Sequence, residues 1–185
     1  MTKPDTAHQR AAASPAPSSD PARRAAARRI RRFGLGIAVA VVVLDQLSKW
    51  LVLTQMMTPP RLIEITSFFN FSLAWNRGVS FSMLNLEAAH WPWVLSAVAL
   101  AITGALGVWL WGLRAKLPAF GVGLVIGGAL GNVVDRVRFG AVMDFLDFHY
   151  AGYHWPSFNL ADTAIGLGVA ALLVDALFAR RESHK

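Results

Sequence analysis

The chain of 185 residues has no cysteine, which excludes disulfides, a thiolate nucleophile and any cysteine-based metal site. Charge is also scarce. Asp, Glu, Lys and Arg together make up 16% of residues, where soluble domains carry roughly a quarter. Glycine-rich phosphate loops, a GxSxG elbow and an HExxH metal pattern are missing, so P-loop, serine-hydrolase and zincin chemistry have no sequence support. What the chain has instead is apolar sequence, 55% of residues, gathered into blocks long enough to cross a bilayer, which takes about 20 consecutive residues. The formal charge of +7 does not argue for nucleic acid. Most of the basic residues stand directly beside apolar blocks, where membrane topology accounts for them.

Residues 1–32 are rich in Ala, Pro, Ser and Arg, with Pro15, Pro17 and Pro21 and no apolar periodicity. They are expected to form a disordered cytoplasmic tail. Arg23, Arg24, Arg28, Arg29, Arg31 and Arg32 then precede the apolar run Gly34 to Leu44, a layout that imitates a cleavable signal peptide. No small-residue cleavage site follows, and further spans do, so the run reads as an uncleaved first helix. Four spans are expected at about 33–53, 91–113, 117–136 and 159–179, within a membrane domain of residues 33–180 and ahead of a short cytoplasmic tail at 181–185. Lys and Arg in short loops set orientation. The arginine cluster, Arg114, Lys116, Arg180, Arg181 and Lys185 fall on one side, which places both termini in the cytoplasm.

Gly123, Gly127 and Gly131 recur at four-residue spacing in the third span, a pattern that admits a second helix close to the backbone. Trp91, Trp93, Trp109 and Trp111 mark the ends of the second span as an interfacial belt. The first outer connection, about Thr54 to His90, is too long for a simple linker. Its stretch Arg61 to Phe71 reads as short strands, and Leu84 to Trp93 as a short surface helix. The expected fold is therefore an all-α membrane protein, a four-transmembrane-helix bundle with a small β-containing extracytoplasmic platform in that first outer connection.

A charged side chain at membrane depth costs roughly 2.5–3.5 kcal/mol on insertion scales, so each intramembrane polar residue needs a reason. Asp45 and Lys49 lie at i and i+4 on one face of the first span and can pair. Ser48 adjoins Lys49, but neighbours in sequence do not face each other on a helix, which argues against a Ser-Lys dyad. Asn132, Asp135 and Arg136 end the third span. Asp135 neutralising Arg136 as a helix-end clamp is the structural reading, and contact of Asn132 and Arg136 with a substrate is the functional one. Asp147, His149 and His154 match no zinc spacing and read as solvated loop residues.

Asp144 and Asp162 are the sharpest pair. Asp144 follows the third span, and Asp162 lies in the first turn of the fourth, three residues after Asn159, a plausible N-cap. Antiparallel neighbouring spans would bring both carboxylates to one depth near the outer surface. Two carboxylates held close cannot both ionise cheaply and share a proton. The charged member can then activate water and the protonated member can donate to a peptide carbonyl. The positive end of the fourth helix favours charge on Asp162. Taken alone, two outward-facing acids are more often solvated or ion-paired than catalytic.

These residues fall into five blocks: Asp45-Gln46-Leu47-Ser48-Lys49; Asn76-Arg77-Gly78-Val79-Ser80-Phe81; Gly127 through Arg136; Val142-Met143-Asp144-Phe145; and Phe158-Asn159-Leu160-Ala161-Asp162. In that order, on a four-span chain, the sequence resembles lipoprotein signal peptidase, the type II signal peptidase of bacteria. The resemblance runs from Phe33 to Phe178. It implies an aspartic endopeptidase of the inner membrane with Asp144 and Asp162 catalytic. Asp45, Asn76, Asn132, Arg136 and Asn159 would support the dyad or line the substrate cleft, and Lys49 also matches a motif position. Ser48 departs from the usual Thr, and Val79-Ser80 varies a tolerated pair. The implied partners are diacylglyceryl-modified prolipoproteins, cut just before the lipidated cysteine, and membrane lipids. A monomer without metal or organic cofactor and without nucleic acid is expected. The rival classes are a small proton-coupled transporter or channel subunit, which needs acids spread across the membrane depth, and a non-catalytic assembly factor. A presenilin-type protease would need a GxGD motif that is missing.

Overall fold

The computed structural model describes residues 21–78 and 90–182. Of the disordered tail expected at residues 1–32, residues 1–20 lie outside that range, as does most of the surface helix expected at Leu84 to Trp93, while residues 21–32 are helical and not disordered. Among the described residues, four helices are long and apolar enough to cross a membrane: α1 (Pro21–Leu51), α2 (Trp91–Gly112), α3 (Lys116–Phe139) and α4 (Leu160–Glu182). Helix α1 begins at Pro21, well before the apolar block opens at Phe33. The intervening residues, PARRAAARRIRR, are mostly Ala and Arg, strong helix formers, and Pro is tolerated in a first helical turn because its missing N–H is not needed there.

Helix α3 is the centre of the bundle. Its most apolar stretch is 67% buried inside the protein, against 11% for that of α2. Lipid tails offer no hydrophobic reward for bringing helices together, so close backbone packing must supply the attraction. The glycines of α3 supply it on two faces. A Cβ at Gly127 would stand 2.6 Å from the Ala38 carbonyl oxygen of α1, and one at Gly128 would collide with the Ala161 carbonyl of α4. The outward faces stay apolar and exposed, with Val39, Val43, Val98 and Leu167 each more than half exposed.

At the end where α1 and α3 finish and α4 starts, the chain builds an antiparallel four-stranded sheet in the order β1 (Ile63–Thr66), β2 (Phe69–Asn76), β3 (Val142–Tyr150), β4 (Tyr153–His154). Two of those strands come from the first connection, as its β-branched and aromatic pattern predicts. The other two come from the segment between α3 and α4, where a loop is expected from the sequence. That segment becomes a strand because β2 offers it a long partner, from Phe69 opposite Phe148 to Asn76 opposite Val142. Gly140 starts it: with φ +69° this residue closes α3 by donating its N–H to the Arg136 carbonyl at 3.0 Å and turns the chain toward β3. Beneath the sheet, Met143 and Phe145 pack with Val52 and Met57 at the π-helical turn that ends α1.

Candidate active site

Strand alternation aims the first acid. Met143 and Phe145 point into the apolar cluster, so Asp144 between them must point to the opposite face. There it meets Asn76, its diagonal neighbour across the β2–β3 ladder, whose Nδ2 donates to Asp144 Oδ2 at 3.2 Å. A pair of backbone hydrogen bonds between Leu146 and Phe158 (2.9 and 3.1 Å) then ties the segment leading into α4 to β3. That tie sets Asn159 against the same acid, and its Nδ2 donates to Asp144 Oδ1 at 2.7 Å.

Asn159 is also the cap of α4. Its Oδ1 accepts the Asp162 N–H at 3.0 Å, while Asp162 Oδ2 accepts the Asn159 N–H at 3.3 Å. This is a reciprocal capping box with a carboxylate at its third helical position. One amide side chain, fully buried, therefore fixes both acids: it holds Asp144 through its nitrogen and Asp162 through its oxygen. Asn132 completes the arrangement from α3, its Nδ2 donating to Asp162 Oδ1 at 2.8 Å.

Behind these residues lies a buried ion cluster. The Lys49 ammonium sits 2.8 Å from Asp45 Oδ2 and 2.8 Å from Asp135 Oδ2, and donates to Asn132 Oδ1 at 3.2 Å. Three N–H groups meet three acceptors. Asp45 reaches α4 as well, its Oδ1 accepting the Ala161 N–H at 3.0 Å, and Asp135 accepts the Met143 N–H at 3.2 Å. The cluster thus links α1, α3, β3 and the start of α4. Gly131 makes room for it, because a Cβ there would lie 2.6 Å from Asp45 Oδ2. Gln46, which the sequence reading did not single out, donates to Asp135 Oδ1 at 2.8 Å and to the Gly131 carbonyl at 3.2 Å. Its one sequence signal was its place beside Asp45 in an otherwise apolar span.

The expected Asp45–Lys49 pair is thus present, and Lys49 is buried, with 5% of its surface exposed. The clamp between Asp135 and Arg136 is absent, since residues adjacent on a helix point apart and Asp135 spends its carboxylate on Lys49. Arg136 instead faces a cavity of about 250 Å³ lined by Asn76, Gly78, Leu95, Asn132, Val142 and Asp162. Its Nε is buried and has no hydrogen-bond partner among the described residues. In the sheet, Asp147 is buried, not solvated: it accepts from Asn70 at 3.2 Å and meets His154 Nδ1 at 2.9 Å, while His149 stacks on His154. No group of three His, Asp or Glu side chains arranged to hold a metal occurs among the described residues.

The two acids differ in environment. Burial, together with the negative charge of Asp162, pushes the Asp144 carboxyl up to about 6, against the opposing donors Asn76 and Asn159 and the charge of Lys49. Asp162 sits at a helix N-terminus, where the unpaired N–H groups and the dipole favour an anion. Asp144 therefore holds a proton more readily than an ordinary carboxyl and gives it up as pH rises through about 6. Such a pair can deprotonate water at one carboxyl and donate a hydrogen bond from the other.

The chain is similar to known proteins along most of its length. A family model described as Signal peptidase (SPase) II matches residues 37–178. The lipoprotein signal peptidase of Cupriavidus pinatubonensis is 43% identical over 166 residues, 86% of this chain and 93% of that protein. That of Francisella tularensis subsp. novicida is 37% identical over 150 residues, 80% of this chain and 92% of that protein. A bacterial membrane enzyme structure obtained by the in meso method at 2.3 Å resolution superposes with a TM-score of 0.70 at 29% identity, covering 82% of this chain and 91% of that one.

Proposed function

The chain belongs to the signal peptidase II family, and from that premise we propose that it is an aspartic endopeptidase whose catalytic pair is Asp144 and Asp162. The observation that carries this reading is Asn159, which donates from its side chain to the Asp144 carboxylate and from its backbone N–H to the Asp162 carboxylate, with Asp144 buried beside the charge of Asp162. The substrate is a diacylglyceryl-modified prolipoprotein, cut just before its lipidated cysteine.

In the reaction, the Asp162 carboxylate takes a proton from water as the water oxygen attacks the scissile carbonyl carbon. The protonated Asp144 donates a hydrogen bond to the carbonyl oxygen, where negative charge develops. When the tetrahedral species collapses, the C–N bond breaks and the Asp144 proton passes to the leaving nitrogen. The pair again holds one proton, now on Asp162, and its return to Asp144 readies the next cycle. Asn132 and Asn159 keep the carboxylates oriented. Arg136, with a buried and unpartnered Nε on the cavity wall, binds a substrate backbone carbonyl. Asp45, Lys49 and Asp135 act behind the pair as positioning residues.

The arginine distribution supports an orientation with both termini in the cytoplasm and the carboxylates near the outer surface of the inner membrane. There the lipid of the substrate stays in the bilayer while water reaches the acids. The chain acts as a monomer in this reading. A gel-shift cleavage assay on purified protein in detergent tests it, with lipidated prolipoprotein as substrate and wild type compared with Asp144→Asn and Asp162→Asn. Signal-peptide release by wild type and none by either folded variant is the expected result. Full cleavage by either variant would remove that acid from the mechanism.

A further inference from the structure

At the end of the bundle opposite the carboxylates, the early start of α1 has a consequence unrelated to proteolysis. A cavity of about 850 Å³ is walled by Arg23, Arg24, Arg28 and Arg31 of α1, by Trp111 near the end of α2, and by Arg114 in the short connection to α3. Five guanidinium groups from two separate segments converge on it, and among the described residues no carboxylate lines it. The Arg31 guanidinium lies over the Trp111 ring at 5.4 Å, which fixes one donor fork in place.

Topology alone does not explain this convergence. Basic residues that merely hold a helix end on one side of a membrane need only be near it. Here Arg24, Arg28 and Arg31 stand at i, i+4 and i+7, on one face, where like charges repel. Arg29 and Arg32 of the same helix do not line the cavity. Bringing Arg114 to that face adds further repulsion, which an anion in the cavity would relieve. Its volume lies in the range of small-molecule sites, far more than one inorganic anion fills.

The walls also continue into apolar surface. Leu35 lies one turn beyond Arg31 on α1, and Val108 one turn before Trp111 on α2; they are 41% and 77% exposed. An occupant matching this surface is charged at one end and greasy at the other. We propose that this cavity binds the headgroup of an anionic glycerophospholipid from the leaflet at this end of the bundle. Its phosphodiester is gripped by the forks of Arg28, Arg31 and Arg114, and its acyl chains lie along α1 and α2. Arginine suits this role because its planar fork meets two phosphate oxygens at once.

The test is native mass spectrometry of the full-length protein in detergent, titrated with phosphatidylglycerol or with zwitterionic phosphatidylcholine. Arg28→Gln/Arg31→Gln is compared with Arg29→Gln/Arg32→Gln, which removes equal charge from the same helix but spares the cavity. The expected result is a phosphatidylglycerol adduct weakened about ten-fold or more by the first pair and by less than about two-fold by the second. Equal weakening by both pairs, or by neither, would reduce the site to general surface charge and overturn the proposal. So would phosphatidylcholine binding as tightly as phosphatidylglycerol. Displacement by millimolar inorganic phosphate would instead identify a site for soluble anions, also against it. Should Arg28→Gln/Arg31→Gln fail to fold, Arg28→Lys/Arg31→Lys keeps the charge and removes the fork. Loss of the adduct in that variant supports the site, and an undiminished adduct refutes it.

Discussion

Replacing Asn132 by Asp changes one atom group and separates two functions that this side chain combines. Its Oδ1 accepts from Lys49 at 3.2 Å and from Asn159 at 3.3 Å, and its Nδ2 donates to Asp162 at 2.8 Å. In Asn132→Asp the accepting side survives, and the contact with Lys49 becomes an ion pair. Only the donor to Asp162 is lost. A hydrogen bond to a charged group contributes about 1.5–3 kcal/mol, and each 1.36 kcal/mol is one decade in rate. If that bond orients Asp162 for its work as a base, kcat should fall about 10- to 150-fold. Repulsion between the new carboxylate and Asp162 pushes the effect the same way. The unfolding temperature followed by tryptophan fluorescence should fall less than in Asn132→Ala, because the Lys49 side keeps its bond although the new carboxylate repels Asp162. Asn132→Ala, which removes both functions, should lose stability as well as rate. Cleavage kinetics on lipidated prolipoprotein decide the matter. A folded Asn132→Asp protein that cuts at the wild-type rate would show that Asp162 does not depend on this donor, and the proposed division of labour would be wrong.

Three further outcomes follow from the same geometry. With the Asp144 carboxyl held at about 6, the folded protein keeps a proton there that the unfolded chain, with an ordinary Asp near 3.8, has given up. Between those values the native state binds more protons, so this group's contribution to stability falls as pH rises through that window and its cost is fully present above it; kcat/KM should decline on an alkaline limb with an apparent pKa near 6, and a limb several units higher would contradict the proton's assignment to Asp144. Lys49→Met leaves Asp45 and Asp135 buried without their cation, a loss of about 3–5 kcal/mol that should lower the unfolding temperature in detergent; adding Asp135→Asn should recover part of it, and an unchanged temperature in the single variant would refute the cluster's role. Gly131→Ala sets a methyl 2.6 Å from Asp45 Oδ2, so the carboxylate must move. The strain costs about 1–3 kcal/mol and the start of α4 shifts with it, which should reduce kcat more than it raises KM; wild-type kinetics would mean that Asp45 tolerates displacement.

The four spans, their antiparallel course and the nearness of Asp144 to Asp162 were legible in the sequence because each rests largely on local information. Hydropathy adds up over consecutive residues, and the N-cap at Asn159 with its acid three positions on is readable within one helical turn. The glycine repeat at 123, 127 and 131 likewise announced close packing before any partner was known. Local signals could not settle which side chains meet. Asp135 pairs with Lys49 rather than its neighbour Arg136 because the rotation of α3 against α1 sets its direction, and that rotation comes from glycine contacts spread over both helices. The strand that carries Asp144 exists because β2 lies beside it, some seventy residues earlier in the chain by the Asn76–Asp144 contact (68 positions apart). Gln46 gained its role, and Arg136 its place on the cavity wall, in the same way. Amino-acid order determined what each segment can do in a membrane. The tertiary structure decided which polar groups share a buried space, since burial forces every one of them to find a partner and only the assembled bundle defines who is within reach.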